Sequence, residues 1–209
     1  MTNRMERKKE EKREAILDAA ATTIAEKGLK DMTMDDVAQT ADLAKGTLYL
    51  YFKNKTSLCA AVNANLNKEV NAEMKKSMDS YQTGSEKIRA AGTAVIQIAL
   101  KNPQKFKAGR ELYQMRFDDL KDPNVQQLLH QDDIGIELLA DAYRQAMEEG
   151  DVREDVDPVP TTIFIKLALV IAFSPTPEQK MLLEHKKISM ERYLEVVRDL
   201  IFRSTHKVR

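Results

Sequence analysis

The sequence predicts an all-α protein, and three observations carry that prediction. Apolar residues recur at three- and four-residue spacing, capping residues and stops punctuate those stretches, and 209 residues contain only 7 glycines and 6 prolines, too few for a turn-rich β sandwich. A chain of this length forms one large helical domain or two small ones and can bury a real core. Charge is balanced at 33 Lys+Arg against 33 Asp+Glu, so contact with a polyanion must come from a local patch and not from a basic coat. The single cysteine, Cys59, permits no internal disulfide and no two-cysteine metal or redox motif. Met1 to Lys12 contain no apolar segment of a secretory signal. The most apolar run, Ile163 to Phe173, includes Lys166 and falls short of the ~20 residues that cross a bilayer. The expected location is cytoplasmic, with no membrane partner.

The elements follow in order. Ile16, Leu17, Ala20, Ala21 and Ile24 mark a first amphipathic helix, ended by Gly28. Thr33 is an expected N-cap, with Asp36 three residues on at the positive helix end. The short helix it opens carries Met34, Val37 and Ala38 and stops near Ala41-Asp42, and a third helix spans about Ala44 to Phe52. From Lys55, the residues Leu58, Val62, Leu66, Val70 and Met74 form the sparse stripe of a long helix. Thr83-Gly84-Ser85-Glu86 reads as a capping box for a helix whose inner face is Ile88, Ala91, Val95 and Ile98 and which ends at Asn102-Pro103. Asp122-Pro123 and Asp157-Pro158 each pair an N-cap residue with proline at the first helical position, where a missing N–H costs nothing. Thr176-Pro177-Glu178-Gln179 is a further capping box, and Tyr193, Val197, Leu200 and Ile201 stripe the last helix. The total is about nine helices and no strand.

The stretch most informative for function is residues 33–58, TMDDVAQTADLAKGTLYLYFKNKTSL. A short helix, a tight turn and a second short helix have the size of a helix-turn-helix, whose second helix enters the major groove and offers its N-terminal residues to base edges. Val37, Ala38, Leu43 and Leu48 join the two helices. Asp42 occupies the turn, where a left-handed backbone is best tolerated by Gly and next by Asn or Asp. Outward positions of the second helix hold Lys45, Gly46, Thr47, Tyr49, Leu50 and Tyr51, a mixture of cation, hydroxyl, apolar and aromatic groups suited to bases, thymine methyls and phosphates.

Lys45-Gly46-Thr47-Leu48-Tyr49-Leu50-Tyr51-Phe52-Lys53-Asn54-Lys55, with Thr33, Val37-Ala38 and Leu58 around it, strongly resembles the DNA-binding signature of TetR-type transcriptional repressors. The resemblance is specific over about residues 12–58; beyond them the order of helices fits, and Gly150 to Pro158 looks like the connection into the first dimerisation helix. Asp42 stands where Gly is usual and Ala44 where Ser often caps the reading helix, the second change removing a cap worth about 1 kcal/mol. The resemblance implies two domains: a three-helix DNA-binding unit at residues 1–54 and a helical ligand-binding and dimerisation unit at 55–209. It also implies that Lys45 meets a base or phosphate, that Gly46 admits the backbone, that Thr47, Tyr49 and Leu50 meet bases and methyls, and that Thr33, Tyr51 and Lys55 grip phosphates. Tyr49 as a core aromatic, Leu50 as an incidental surface residue and Lys55 as a solvated lysine are the bland readings beside these. Residues 1–13 carry six cations against three acids and read either as a phosphate-binding arm or as a solubilising tail.

One reading head offers too little area for a specific operator, so a homodimer on a palindromic double-stranded site is expected. The two C-terminal helices supply its interface by resemblance, with Ile163, Leu167, Val170, Ile171, Tyr193, Val197 and Ile201 as candidates, or else these are ordinary core. An effector pocket among the middle helices draws on Phe106, Arg110, Tyr113, Met115, Arg116, Phe117, His130, Tyr143, Met147 and Phe164, which combine apolar walls with polar anchors. Arg110 and Arg116 point to an acidic effector if they turn inward, whereas aromatic and Met positions at helical spacing also serve as core. No phosphate-cradling Gly-rich loop, G-x-S-x-G or H-E-x-x-H occurs, so no cofactor, metal or catalytic site is expected. The expected function is a repressor released from its operator by a small molecule. The rivals are a helical ligand-binding module without a regulatory role and a small enzyme using the central cavity.

Overall fold

The computed structural model describes residues 4–113 and 115–207. Over them run ten helices: α1 (Arg4–Lys27), α2 (Met34–Thr40), α3 (Lys45–Tyr51), α4 (Lys55–Met78), α5 (Gly84–Lys101), α6 (Pro103–Tyr113), α7 (Pro123–Glu148), α8 (Pro158–Phe173), α9 (Pro177–His185) and α10 (Met190–Thr205). Among the described residues no strand occurs, and one isolated antiparallel bridge joins Val152 to His206. The chain is all-α, as its periodicity requires. No single helix among the described residues is long and apolar enough to cross a membrane.

The caps that set these boundaries are chemical. Thr33, Thr83 and Thr176 each close a capping box with Asp36, Glu86 and Gln179 respectively, satisfying two backbone donors at each helix start. Asp122 accepts from the amides of Asn124 and Val125, whereas Asp157 makes no side-chain cap and leaves the start of α8 to Pro158. Gly28 (φ +82°) ends α1 in the left-handed region that a side chain resists.

Two differences from the sequence expectation have clear causes. The basic N-terminal stretch is helical and not a disordered tail over its described part: α1 starts at Arg4, and residues 1–3 lie outside the described residues. Its alternating charges support a helix through pairs such as Arg7 with Glu11, 3.4 Å apart at i,i+4. The tenth helix, α6, begins where α5 ends. Asn102-Pro103 stops the first helix and also places proline at the first position of the next, so the dipeptide was legible as a stop but not as a start.

Two cores form. One gathers Ile16, Leu17 and Ile24 of α1, Val37 and Ala38 of α2, Leu48, Phe52 and Leu58, and continues without a break onto Val62 of α4 and Ala108 and Leu112 of α6. The other joins Met74 and Met78 of α4 to Ile88 and Val95 of α5, Leu139 and Tyr143 of α7 and Ile165 of α8. Helix α4 thus belongs to both. Helix α9 differs from all the others in having no buried residue.

The approach of α5 to α7 depends on one missing side chain. A Cβ on Gly84 would lie 2.3 Å from the Ala146 nitrogen and 2.5 Å from the Ala142 carbonyl oxygen, both backbone atoms of α7 that cannot turn aside. We expect Gly84→Ala to force α5 off α7 and cost about 1–3 kcal/mol. Urea unfolding should show this as a lower midpoint at unchanged slope; an unchanged midpoint would mean that the two helices do not pack this closely.

Candidate nucleic-acid interface and interior cavity

The turn between α2 and α3 adopts the geometry that its residues permit. Asp42 sits at φ +53°, and the Leu43 amide donates to the Ala38 carbonyl at 2.9 Å. Ala44 precedes α3 with no side-chain cap. Helix α3 is seven residues long and anchors through buried Leu48, with Phe52 inserted just after it. The remaining positions divide by the helical period. Lys45, Gly46, Tyr49 and Leu50 face outward, Leu50 being 83% exposed, while Thr47 and Tyr51 are half-buried. Tyr51 packs against the first core, its ring 6.5 Å from that of Phe52. A Cβ on Gly46 would meet nothing within 4 Å, so packing inside the chain does not demand glycine there.

Acidic neighbours order this surface. Asp36 Oδ2 accepts from the Thr33 amide at 2.9 Å, Thr33 Oγ1 accepts from the Asp36 amide at 3.1 Å, and Lys27 donates to Asp36 Oδ1 at 2.6 Å. Lys27 first, and then Thr33, hold the Asp36 carboxyl down to about 2. Lys45 Nζ pairs with Asp35 at 2.7 Å, which raises its pKa and holds it beside the end of α2.

Lys55, expected among the phosphate-gripping residues, is engaged within the chain. Its ammonium turns inward and donates to the carbonyls of Leu29 at 2.6 Å, Met32 at 2.7 Å and Lys30 at 3.3 Å, so it clamps the α1–α2 loop. Lys53 and Arg13 make long-range contacts that the sequence pattern did not reveal. Lys53 pairs with Asp119 at 2.8 Å and with buried Asp122 at 2.9 Å. Arg13 lies 5.5 Å over the Phe52 ring and donates to Asn124 at 2.9 Å. Asp119, Asp122 and Asn124 lie more than sixty positions from Lys53 and Arg13, where no local spacing signals them.

A cavity of about 160 Å³ lies between α4, α5, α6, α7, α8 and α10. Of the expected pocket residues, Phe106, Arg110, Tyr113 and Tyr143 line it, with Phe106 edge-on to Phe173 at 5.2 Å. Tyr143 is a fully buried wall residue whose hydroxyl lies 3.4 Å from that of Thr205. The others are elsewhere for packing reasons. Met115 packs on the first core, Met147 on the second and Phe117 beside Ala60 and Val125, while His130 is exposed on α7. Phe164 points outward from α8 at 65% exposure, and the Arg116 side chain is 90% exposed, paired with Asp118. Sequence reasoning missed the asparagine ladder Asn63, Asn67 and Asn71, which lines the cavity from one face of α4 at i,i+4 spacing.

The expected interface residues also divide. Ile163, Leu167 and Ile171, with Phe164, form an exposed apolar stripe on α8, and Val196 and Leu200 are exposed on α10. Val170 and Ile201 instead line the cavity, and Tyr193 and Val197 pack against buried Ile96, Ala172 and Leu194. A 3.6-residue period cannot separate these two apolar faces of one helix, because both satisfy it.

Residues 16–62 match the sequence model described as bacterial regulatory proteins, tetR family. Over those residues the chain is similar to that family. It is 32% identical over 87 residues to the uncharacterized HTH-type transcriptional regulator YhgD of Bacillus subtilis, covering 42% of this chain and 46% of YhgD. It is 26% identical over 151 residues to the HTH-type transcriptional repressor KstR2 of Mycobacterium tuberculosis, covering 70% of this chain and 72% of that one. The alignment with the first relative thus spans less than half of that protein's length. Among solved structures, the transcriptional regulator FadR from Bacillus subtilis in complex with stearoyl-CoA has the same fold, with a TM-score of 0.71 at 18% identity over 90% of this chain and 96% of that one.

The depressed Asp36 carboxyl makes a pH prediction. A group held below its ordinary value stabilises the fold above that value, near 4, and loses its contribution as pH falls toward its folded value. Wild type should therefore exceed Asp36→Asn in stability at neutral pH, with the gap closing from about pH 4 to about pH 2 in urea unfolding series. A gap that widened on acidification would refute the assignment. Separately, Lys55→Met should lower stability by about 1–2 kcal/mol through three carbonyls losing their cationic donor, measurable without any nucleic acid present.

Proposed function

We propose that this chain is a transcriptional repressor that binds a palindromic operator as a homodimer and leaves it when a small molecule occupies the interior cavity. Residues 1–54 serve as the reading unit and 55–209 as the effector-binding and dimerisation unit. The observation that carries the reading is the division of α3: Leu48 anchors the helix inward, while Lys45, Gly46, Tyr49 and Leu50 face outward with nothing of the chain in front of Gly46. Such a face admits a duplex, with the lysine reaching guanine or phosphate and the apolar groups reaching thymine methyls. Kinship with a named repressor, KstR2, supports the direction of regulation.

The exposed apolar stripe of Ile163, Phe164, Leu167 and Ile171 on α8, with Val196 and Leu200 on α10, supports the dimer. A patch of that kind on the surface of a single copy marks an interaction face, and packing against its own copy gives a four-helix bundle with a two-fold axis. The cavity supports effector control because α4 lines it and also carries Leu58 and Val62 of the reading unit's core. An effector that prefers a conformer with wrongly spaced reading heads lowers operator affinity by that same preference. The stearoyl-CoA held by a protein of the same fold supports reading the cavity as a ligand site.

Selection of bound duplexes from a random pool tests the proposal. The expected product is an inverted repeat with half-sites about one helical turn apart. Lys45→Ala and Tyr49→Ala should each weaken binding by about 1–3 kcal/mol and relax preference at particular positions of the half-site. Failure to enrich any repeat, or undiminished binding by the double variant, would leave a ligand-binding module without a regulatory role.

A further inference from the structure

We propose that the cavity selects a compact monoanion, with an apolar body the size of one ring or a medium acyl chain and one carboxylate head seated on Arg110. The inference rests on reading the cavity as a ligand site and names the class of ligand. The body follows from the walls and the volume. Leu66, Val70, Met74, Val95, Leu139 and Ile165 supply an apolar lining. The volume of about 160 Å³ is close to that of an engineered apolar cavity of about 150 Å³ that takes up benzene.

The head follows from counting charges. Four cations line the cavity, Arg89, Arg110, Lys166 and Arg198, and no Asp or Glu does. Three of the four lie within 4 Å of a carboxylate. Arg89 and Arg198 share Asp199, at 3.7 and 2.9 Å, and Lys166 pairs with Asp132. Among the described residues, Arg110 is the lining cation with no carboxylate within 4 Å; its Nη1 donates to the Ser174 carbonyl at 2.6 Å, just past the end of α8. A guanidinium has five N–H donors, and a half-buried one beside apolar walls is stabilised when an anion accepts from the rest. A carboxylate can do so with two parallel hydrogen bonds. Thr162 is a second group with spare capacity: it lines the same cavity, is 3% exposed, and its hydroxyl has no hydrogen-bond partner. A cationic ligand would add repulsion to this site, and a neutral one would leave Arg110 without its counter-charge.

Calorimetric titration of the full chain with three probes of equal length, octanoate, 1-octanol and octylamine, tests the inference. Octanoate should bind at least tenfold more tightly than 1-octanol, and octylamine more weakly than either. Arg110→Gln, which can still donate to the Ser174 carbonyl, should bind octanoate no better than 1-octanol, while Arg110→Lys keeps part of the preference and Arg116→Gln keeps all of it. Octanoyl-CoA, whose acyl end is a thioester without a free carboxylate, should bind no better than 1-octanol. Equal binding of acid and alcohol, preference retained in Arg110→Gln, tight binding of octanoyl-CoA alone, or no binding of any probe each overturns the proposal. These titrations need no DNA, so they separate the two readings. Octanoate that binds through Arg110 but leaves the operator occupied defeats release and not the carboxylate head; a neutral ligand that frees the operator from a protein without acid preference does the reverse.

Discussion

The structure depends on α4 being one continuous helix shared by two cores. Its first turns bury Leu58, Cys59 and Val62 among the side chains of α1 and α6, and its last turns bury Met74 and Met78 among those of α5 and α7. A helix is stiff over this length because each residue is tied by its own hydrogen bond, so a displacement at one end is not absorbed on the way to the other. Burial also sets the chemistry along it: desolvation pushes the Cys59 thiol up to about 12, which keeps it an apolar filler and not a nucleophile. Between the two cores, α4 turns Asn63, Asn67 and Asn71 toward the cavity. Two of these are already engaged across the helix pair, Asn71 with the Gln131 carbonyl at 2.8 Å and Asn67 with Asp132 at 2.5 Å.

That arrangement places a polar seam next to an apolar cavity, and the two have different tolerances. Apolar packing accepts a ligand that fills the available volume and resists one that overfills it. Buried polar pairs are less forgiving, since a partner withdrawn leaves a desolvated group behind. Lys166 is bound to Asp132, and Asp132 also accepts from Asn67 of α4, so α8 and α4 meet at one carboxylate. A ligand that shifts α8 therefore acts on α4 through that carboxylate as well as through the cavity wall.

Helix boundaries were largely legible in the sequence because caps are local. Thr33 with Asp36, Thr83 with Glu86 and Thr176 with Gln179 each bring donor and acceptor together within three residues, and Asp42 announced its own left-handed turn. The outward placement of Lys45, Gly46, Tyr49 and Leu50 was likewise readable, because Leu48 and Phe52 claim the inner face of so short a helix. What the sequence could not resolve was which of two apolar faces a residue joins. Val170 and Ile171 are neighbours on α8, yet one lines the cavity and the other is exposed, and Phe164 looks outward although its composition fits a pocket. Lys55 escaped for a different reason: a lysine's four-carbon stem reaches in several directions, and only the positions of the Leu29 and Met32 carbonyls decide among them.

The junction between head and body is held by two kinds of contact with unequal cost of deformation. The apolar part is continuous, running from Ile16 and Leu17 through Val62 to Ala108 and Leu112, and opening it exposes apolar surface at about 25 cal/mol per Å². The polar part includes ion pairs, Lys105 with Asp18 at 3.0 Å and Lys53 with exposed Asp119 at 2.8 Å and with buried Asp122 at 2.9 Å. Exposed pairs of this kind contribute about 0–1 kcal/mol each and re-form readily with water or a neighbouring acid. The junction thus combines a continuous apolar core with ion pairs that are individually weak.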